Sequence, residues 1–213
     1  TATVSRCLNE PGKVSEKTQQ RVMQAVNELN YSPNFGARAI AANRTGIFGA
    51  IIPTMENAIF ARGIEAFQRA LVEKNATMLV ASSAYDPELE AKLIRTMVSR
   101  GADGLLLIGT DRSQEIYDFL FERNIPTVIA WASSRNQAQS YVGFDNRAAS
   151  EKLVEKAISM GHRSFAFISA PTRTNDRARD RVLGAQQAII NARLVIASMP
   201  IIETDYSIHN GRE

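Results

Sequence analysis

From Gly46 onward the chain alternates short apolar runs with longer amphipathic stretches, and no other feature constrains its fold as strongly. Ile47–Ile52 is apolar almost without interruption, the pattern of a strand buried on both faces of a parallel sheet. Ile64, Phe67, Ala70 and Leu71 then share one helical stripe that closes at Lys74 and Asn75. Further strands are predicted over 78–81, Gly104–Ile108, 126–130, 141–144 and 165–168. Between them run helices marked by Leu89, Leu93, Met97 and Val98, by 116–121, and by Leu153, Val154 and Ile158, with a last helix across 182–191. This alternation predicts an α/β fold with a doubly wound, mainly parallel sheet.

In that architecture ligands meet the carboxyl ends of the strands, so the residues after each strand are the ones to read for function. These are 53–57, 82–86, 109–110, 131–133, 144–146 and 170–172. They supply hydroxyls, amides, aromatic rings and a few carboxylates, a set suited to a polyhydroxylated molecule stacked on an aromatic face. The same composition also describes ordinary polar loops, and the residues alone leave both readings open.

A different pattern precedes Gly46. In Thr1-Ala2-Thr3-Val4-Ser5-Arg6-Cys7-Leu8-Asn9, Val4 and Leu8 lie four apart with Cys7 beside them, so one helical face is apolar. Thr1, Thr3, Ser5 and Arg6 point elsewhere. Short hydroxyls suit phosphate oxygens, and an arginine near a helix start suits the guanine edge in a major groove. An ordinary surface helix would carry the same residues. After a Pro11-Gly12 turn, Ser15 is placed as the N-cap of a second helix, with Glu16 in the first turn where the dipole favours it. Val22, Ala25, Val26 and Leu29 form its apolar stripe, and Asn30-Tyr31-Ser32-Pro33 ends it, because the residue before a proline is pushed out of the helical region.

Charge divides the chain at the same place. Residues 1–45 hold six basic side chains (Arg6, Lys13, Lys17, Arg21, Arg38, Arg44) against three acidic ones (Glu10, Glu16, Glu28), while the whole chain is +3. Residues 46–213 are therefore balanced, and the positive excess sits at the helical end, where a nucleic-acid partner would want it, although a solvated basic face would give the same count. With 213 residues and 45% hydrophobic content the chain can hold a large domain beside a small one. It contains no apolar run long enough to span a membrane. Its one cysteine, Cys7, cannot form an internal disulfide, which fits a reducing cytoplasm, and Cys7 reads as a small buried thiol. No glycine-rich dinucleotide fingerprint, phosphate loop or nucleophile–His–acid set is present, and His162 reads as a structural residue at a helix-to-strand turn. The expectation is a protein that is not an enzyme and takes no cofactor and no metal.

Taken in order, Ala2 to Asn9, Val14-Ser15 through Arg21-Val22, Leu29 to Asn34, and Ala37-Arg38 resemble the lactose-repressor (LacI/GalR) family of bacterial transcription regulators over about 45 residues, and the remainder fits the same family. The family pattern begins earlier, with a scaffold helix ahead of the recognition helix, and extends beyond Glu213; the chain is expected to be a piece of such a protein. The resemblance implies three regions: a partial helix-turn-helix DNA-binding domain over 1–33, a hinge helix or linker over 34–45, and an effector-binding core over 46–213. That core is similar to the two-lobed sugar-binding domain of periplasmic type, with a first lobe and part of a second.

By the same resemblance, Thr1 and Ala2 occupy the base-reading start of the recognition helix and Arg6 a further base contact, while Thr3, Ser5, Asn9, Lys13, Tyr31 and Asn34 hold phosphates. Ala37, Arg38 and Ile40 fall in the hinge helix, with Ile40 where the family places an apolar wedge for the minor groove. Gly36 weakens that helix by about 1 kcal/mol relative to alanine, which suits a segment that orders on DNA. Thr54, Met55, Phe60, Trp131, Asp145, Asn175 and Arg181 are the implied effector contacts. Arg181 matches the family's ligand arginine three residues before Gly184, and its fork would suit a carboxylate. The charged run 175–181 would otherwise read as surface salt bridges at a solvated helix start. Asn57-Ala58-Ile59-Phe60-Ala61-Arg62-Gly63-Ile64 is about three residues shorter than the family's usual segment, a form similar to regulators of the gluconate-utilisation type. The implied protein is a cytoplasmic, nucleoid-associated homodimer. It binds near-palindromic operator DNA as a repressor, and a sugar or sugar-acid effector modulates that binding. The rival reading is a periplasmic-type sugar-binding protein without a DNA role.

Overall fold

The computed structural model describes residues 2–9, 11–31, 44–133, 139–195, 199–205 and 209–212. The chain divides into two compact units, Thr1–Thr45 and Gly46–Glu213. In the smaller unit, helix α1 (Ala2–Asn9) is followed by a single 3-10 turn (Pro11–Lys13) and helix α2 (Glu16–Glu28). Ser15 stands at the N-cap of α2 with extended backbone, but its hydroxyl bonds the Thr18 hydroxyl at 2.9 Å rather than a backbone N–H. Helix α2 ends where the Asn30-Tyr31-Ser32-Pro33 stop is expected; Ser32 and Pro33 themselves lie outside the described residues. Asn30 turns into the left-handed region at φ +46°, and the Tyr31 N–H donates to the Val26 carbonyl at 2.9 Å, a six-to-one closure of the helix end.

The larger unit is built on a five-stranded, wholly parallel sheet of order β2-β1-β3-β4-β5. Its elements run β1 (Ile47–Ile52), α3 (Ala58–Val72), β2 (Thr77–Ser82), α4 (Pro87–Ser99), β3 (Gly104–Ile108), α5 (Gln114–Glu122), β4 (Thr127–Ala130) and β5 (Ser140–Val142). β1 pairs with β2 on one side and β3 on the other, so Ala50 and Ile51 are fully enclosed. One core cluster gathers Ile51, Ile94, Met97, Leu105, Leu107, Ile116 and Leu120. The opposite sheet face gathers Ala50, Ile52, Phe60, Leu106, Ile108 and Ala130. Side chains alternate across the sheet, so each strand feeds both cores, which is why its runs are continuously apolar.

A second lobe follows. It comprises α6 (Asn146–Ser159), β6 (Phe167–Ser169), α7 (Asp176–Asn191) and β7 (Ile201–Glu203), with β6 and β7 forming a separate parallel pair. Val154, Ala185, Ala188, Ile189 and Met199 make its own core. Two expectations are corrected here. The strand predicted at 165–168 lies at Phe167–Ser169, and the last helix begins at Asp176, six residues before the predicted start. The apolar stripe used to place that helix starts at Val182, whereas the N-terminal turns are held by polar contacts that periodicity does not detect.

Candidate DNA-binding unit and effector cleft

In the smaller unit α1 turns its polar residues to solvent. Ala2, Thr3, Ser5 and Arg6 are exposed, whereas Cys7 is buried at 3%. Lys13 and Tyr31 are exposed as well. The apolar faces of the two helices do not close into a core among the described residues. Val4, Val22, Ala25, Val26, Leu29 and Tyr31 line an open groove of about 510 Å³ that Thr18 and Arg21 also border. Thr1, Asn34, Ala37, Arg38 and Ile40 lie outside the described residues.

In the larger unit a cleft of about 780 Å³ opens between the first lobe, at Glu56, Asn57 and Ala58, and the second, at Phe167 to Ala170, Arg181, Thr204 and Asp205. A smaller cavity of about 180 Å³ adjoins it through Ala170 and Asp205, lined also by Tyr85, Thr174 and Asn175. Arg181 therefore reaches the large cleft and Asn175 the small one. The Arg181 guanidinium also donates to the Asn146 side-chain carbonyl at 2.9 Å. Asn175 is buried and caps α7, accepting the Ala178 N–H at 3.2 Å. Asp145 does the same work for α6, accepting the Ala148 N–H at 2.9 Å. Thr54 accepts the Glu56 N–H at 3.2 Å, and Met55 is exposed.

Phe60 and Trp131 do not line these cavities. Their rings meet edge to face at 5.4 Å between centroids, and Phe60 is only 5% exposed. A Cβ on Gly63 would collide with the Trp131 indole, so the indole lies flush on α3. Phe60 thus works as a core residue with little ring face left to stack on a sugar, and the pair joins β4 to α3. The Trp131 backbone is left-handed at φ +59°; its N–H donates to Val142, and its carbonyl accepts from the Asn146 side chain at 3.0 Å. The backbone around Trp131 thereby holds β5 and the start of α6.

The charged run at the start of α7 is not the solvated helix start that its composition alone would suggest. Asp176 and Arg177 are buried at 4% and 8%, not solvated. One Asp176 oxygen accepts from the Thr110 N–H at 2.5 Å and the Thr110 hydroxyl at 2.9 Å. The other accepts from the Arg177 N–H at 2.9 Å and its guanidinium at 2.6 Å. Burial alone would raise the Asp176 pKa; the Arg177 charge and the Thr110 and Arg177 hydrogen bonds outweigh it and hold the carboxyl below its ordinary value. Arg179 reaches the first lobe as well, at 3.0 Å from Asp111. Nearby, Arg112 is buried against Glu90 at 2.8 Å and donates to the Ile108 and Gly109 carbonyls. Burial would lower the Arg112 pKa, but Glu90 and Tyr117 raise it, so the guanidinium stays charged. A sequence signal for these contacts existed only in part. Thr110 follows a strand, whereas nothing distinguishes Arg112 from any other loop arginine. Among the described residues no group of histidine, cysteine and carboxylate side chains is arranged to hold a metal ion.

The chain matches two family models: "Bacterial regulatory proteins, lacI family" over residues 1–34, and "Periplasmic binding proteins and sugar binding domain of LacI family" over residues 45–212. Catabolite control protein A of Staphylococcus xylosus is 26% identical over 210 residues, covering 99% of this chain and 64% of that protein. The HTH-type transcriptional repressor PurR of Klebsiella pneumoniae is 29% identical, covering 99% of this chain and 62% of that protein. Among solved structures, a LacI-family transcriptional regulator from Silicibacter pomeroyi superposes with a TM-score of 0.85 at 28% identity, covering 99% of this chain and 63% of the other. The chain thus spans less than two thirds of the length of these relatives. Matched along both of its units, the chain belongs to the lacI family of bacterial regulatory proteins.

Proposed function

We propose that this chain is the DNA-reading and effector-sensing part of a transcriptional regulator that acts as a homodimer on near-palindromic operator DNA, and that a small sugar or sugar acid modulates its binding. The observation that carries the reading is the exposed polar face of α1, where Thr3, Ser5 and Arg6 stand clear of the buried Cys7. Arg6 has the chemistry to read a guanine edge, and Thr3, Ser5 and Lys13 to hold phosphates and set register. Two-fold symmetry would place one such helix on each half-site. The cleft at Asn57, Ser169, Arg181, Thr204 and Asp205 offers amide, hydroxyl, guanidinium and carboxylate groups to a polar ligand. That ligand would act through a difference in affinity between two lobe arrangements.

Fluorescence anisotropy on the protein tests this, with a selected palindromic DNA against a scrambled one, across a salt titration and a panel of sugars and sugar acids. The expected result is tight, sequence-preferring binding that one ligand shifts. Equal weak binding to both DNAs, with sugar binding retained, would refute the regulator and leave a sugar-binding module.

A further inference from the structure

The contact between the first lobe and the start of α7 is more than a passing salt bridge. Four donors converge on the single Asp176 carboxylate, and two of them, the N–H and hydroxyl of Thr110, belong to the other lobe. The loop after β3 is shaped for that approach. Gly109 sits at φ +74°, and a Cβ there would run into both the Arg177 guanidinium and the Asp176 carboxylate. Arg179, one helical turn along, adds an ion pair to Asp111 and also donates to the Thr172 carbonyl at 3.1 Å. Tyr117 steadies the loop from behind, its hydroxyl donating to the Thr110 carbonyl at 2.9 Å.

We infer that Asp176 and Arg179 form a clasp with Thr110 and Asp111 that holds the second lobe against the first through the chain's own side chains. The Asp176 carboxylate is the resident anion of a cradle made by Thr110 and Arg177. A helix start surrounded by N–H groups and a guanidinium favours a negative charge, and here the chain supplies that charge itself. Lobe closure is thereby biased before any ligand arrives, and an effector adjusts an equilibrium already weighted towards the closed side. That consequence for an effector rests on the regulator reading above; the clasp itself does not.

Hydrogen–deuterium exchange of the segments 108–112 and 176–181 tests the clasp without DNA or sugar, so its failure is distinct from failure of the regulator reading. Asp176→Ala is expected to speed exchange at 108–112 by about tenfold or more, the scale of lost hydrogen bonds to a charged group. Formate, which can refill the emptied cradle, should restore slow exchange where chloride at equal ionic strength does not. Trp131 fluorescence reports whether the first lobe stays folded, since its ring is packed on Phe60. Should Asp176→Ala fail to fold, Arg179→Ala is read in the same way and is expected to speed exchange at 108–112 by a smaller factor. Unchanged exchange in a folded Asp176→Ala or Arg179→Ala protein overturns the clasp, as does an acceleration in Asp176→Ala that formate leaves untouched.

Discussion

Replacing Gly184 by alanine sets two effects of opposite sign against each other, and the packing of α6 on α7 decides between them. Gly184 is buried inside α7, where alanine is the better helix former by about 1 kcal/mol. The added methyl, however, would collide with the Arg147 carbonyl oxygen and lie 3.0 Å from the Arg147 carbonyl carbon and the Glu151 nitrogen of α6. These are backbone atoms in a helix and cannot rotate aside. The helices must move apart, which loosens contacts around Val154, Ala185 and Ala188. Overpacking of this kind costs about 1–3 kcal/mol, and a backbone obstacle belongs at the upper end. Net destabilisation should therefore be about 1–2 kcal/mol, which lowers a urea midpoint by roughly half a molar for an ordinary m-value. Urea titration followed by circular dichroism measures it. Ala149→Gly, at an exposed position of α6, calibrates the propensity term in the same helix pair. A Gly184→Ala protein more stable than the parent would refute the argument, because it would mean that the close approach of α6 and α7 is not sterically limiting.

Further outcomes are expected. Arg6→Ala should cost about 1–3 kcal/mol of DNA affinity and relax sequence preference, whereas Lys13→Ala should weaken all sequences alike and reduce the salt slope by about one; anisotropy at several salt concentrations separates the two. The folded-state pKa of Asp176 is depressed, so its contribution to stability is present above the unfolded-state value and fades as pH falls through the folded one. Urea midpoints of the parent should thus drop more steeply than those of Asp176→Asn below the ordinary carboxylate range, with the Asp111–Arg179 pair present in both proteins. Glu90→Ala leaves the Arg112 guanidinium buried without its partner and should cost about 3–5 kcal/mol. Arg95→Ala, which breaks an exposed pair with Glu115, should cost under about 1 kcal/mol in the same urea assay.

Most strands were legible because each carries its own local signature. The apolar run of β1 and the Gly104–Ile108 run coincide with the observed elements, since strands covered on both faces leave no position for polar residues. The start of α7 was not legible. Asp176, Arg177 and Arg179 have the composition of a solvated helix start, and burial of Asp176 and Arg177 follows only from Thr110, 66 positions away in sequence from Asp176. Phe60 and Trp131 were implied as effector contacts by the family resemblance; in the structure their rings meet each other at the seam between β4 and α3.

What the sequence by itself determined is the order and kind of the elements, the break near Gly46, the polar face of α1 and the family pattern, all of which rest on neighbours within a few residues. The tertiary structure decided which charges are buried, which aromatic rings face the core, and where one lobe grips the other. Periodicity records whether a side chain faces a core, but an ion's environment depends on groups brought together from distant parts of the chain. The cost of burying Asp176 is offset only because Thr110 and Arg177 arrive with four donors at one place.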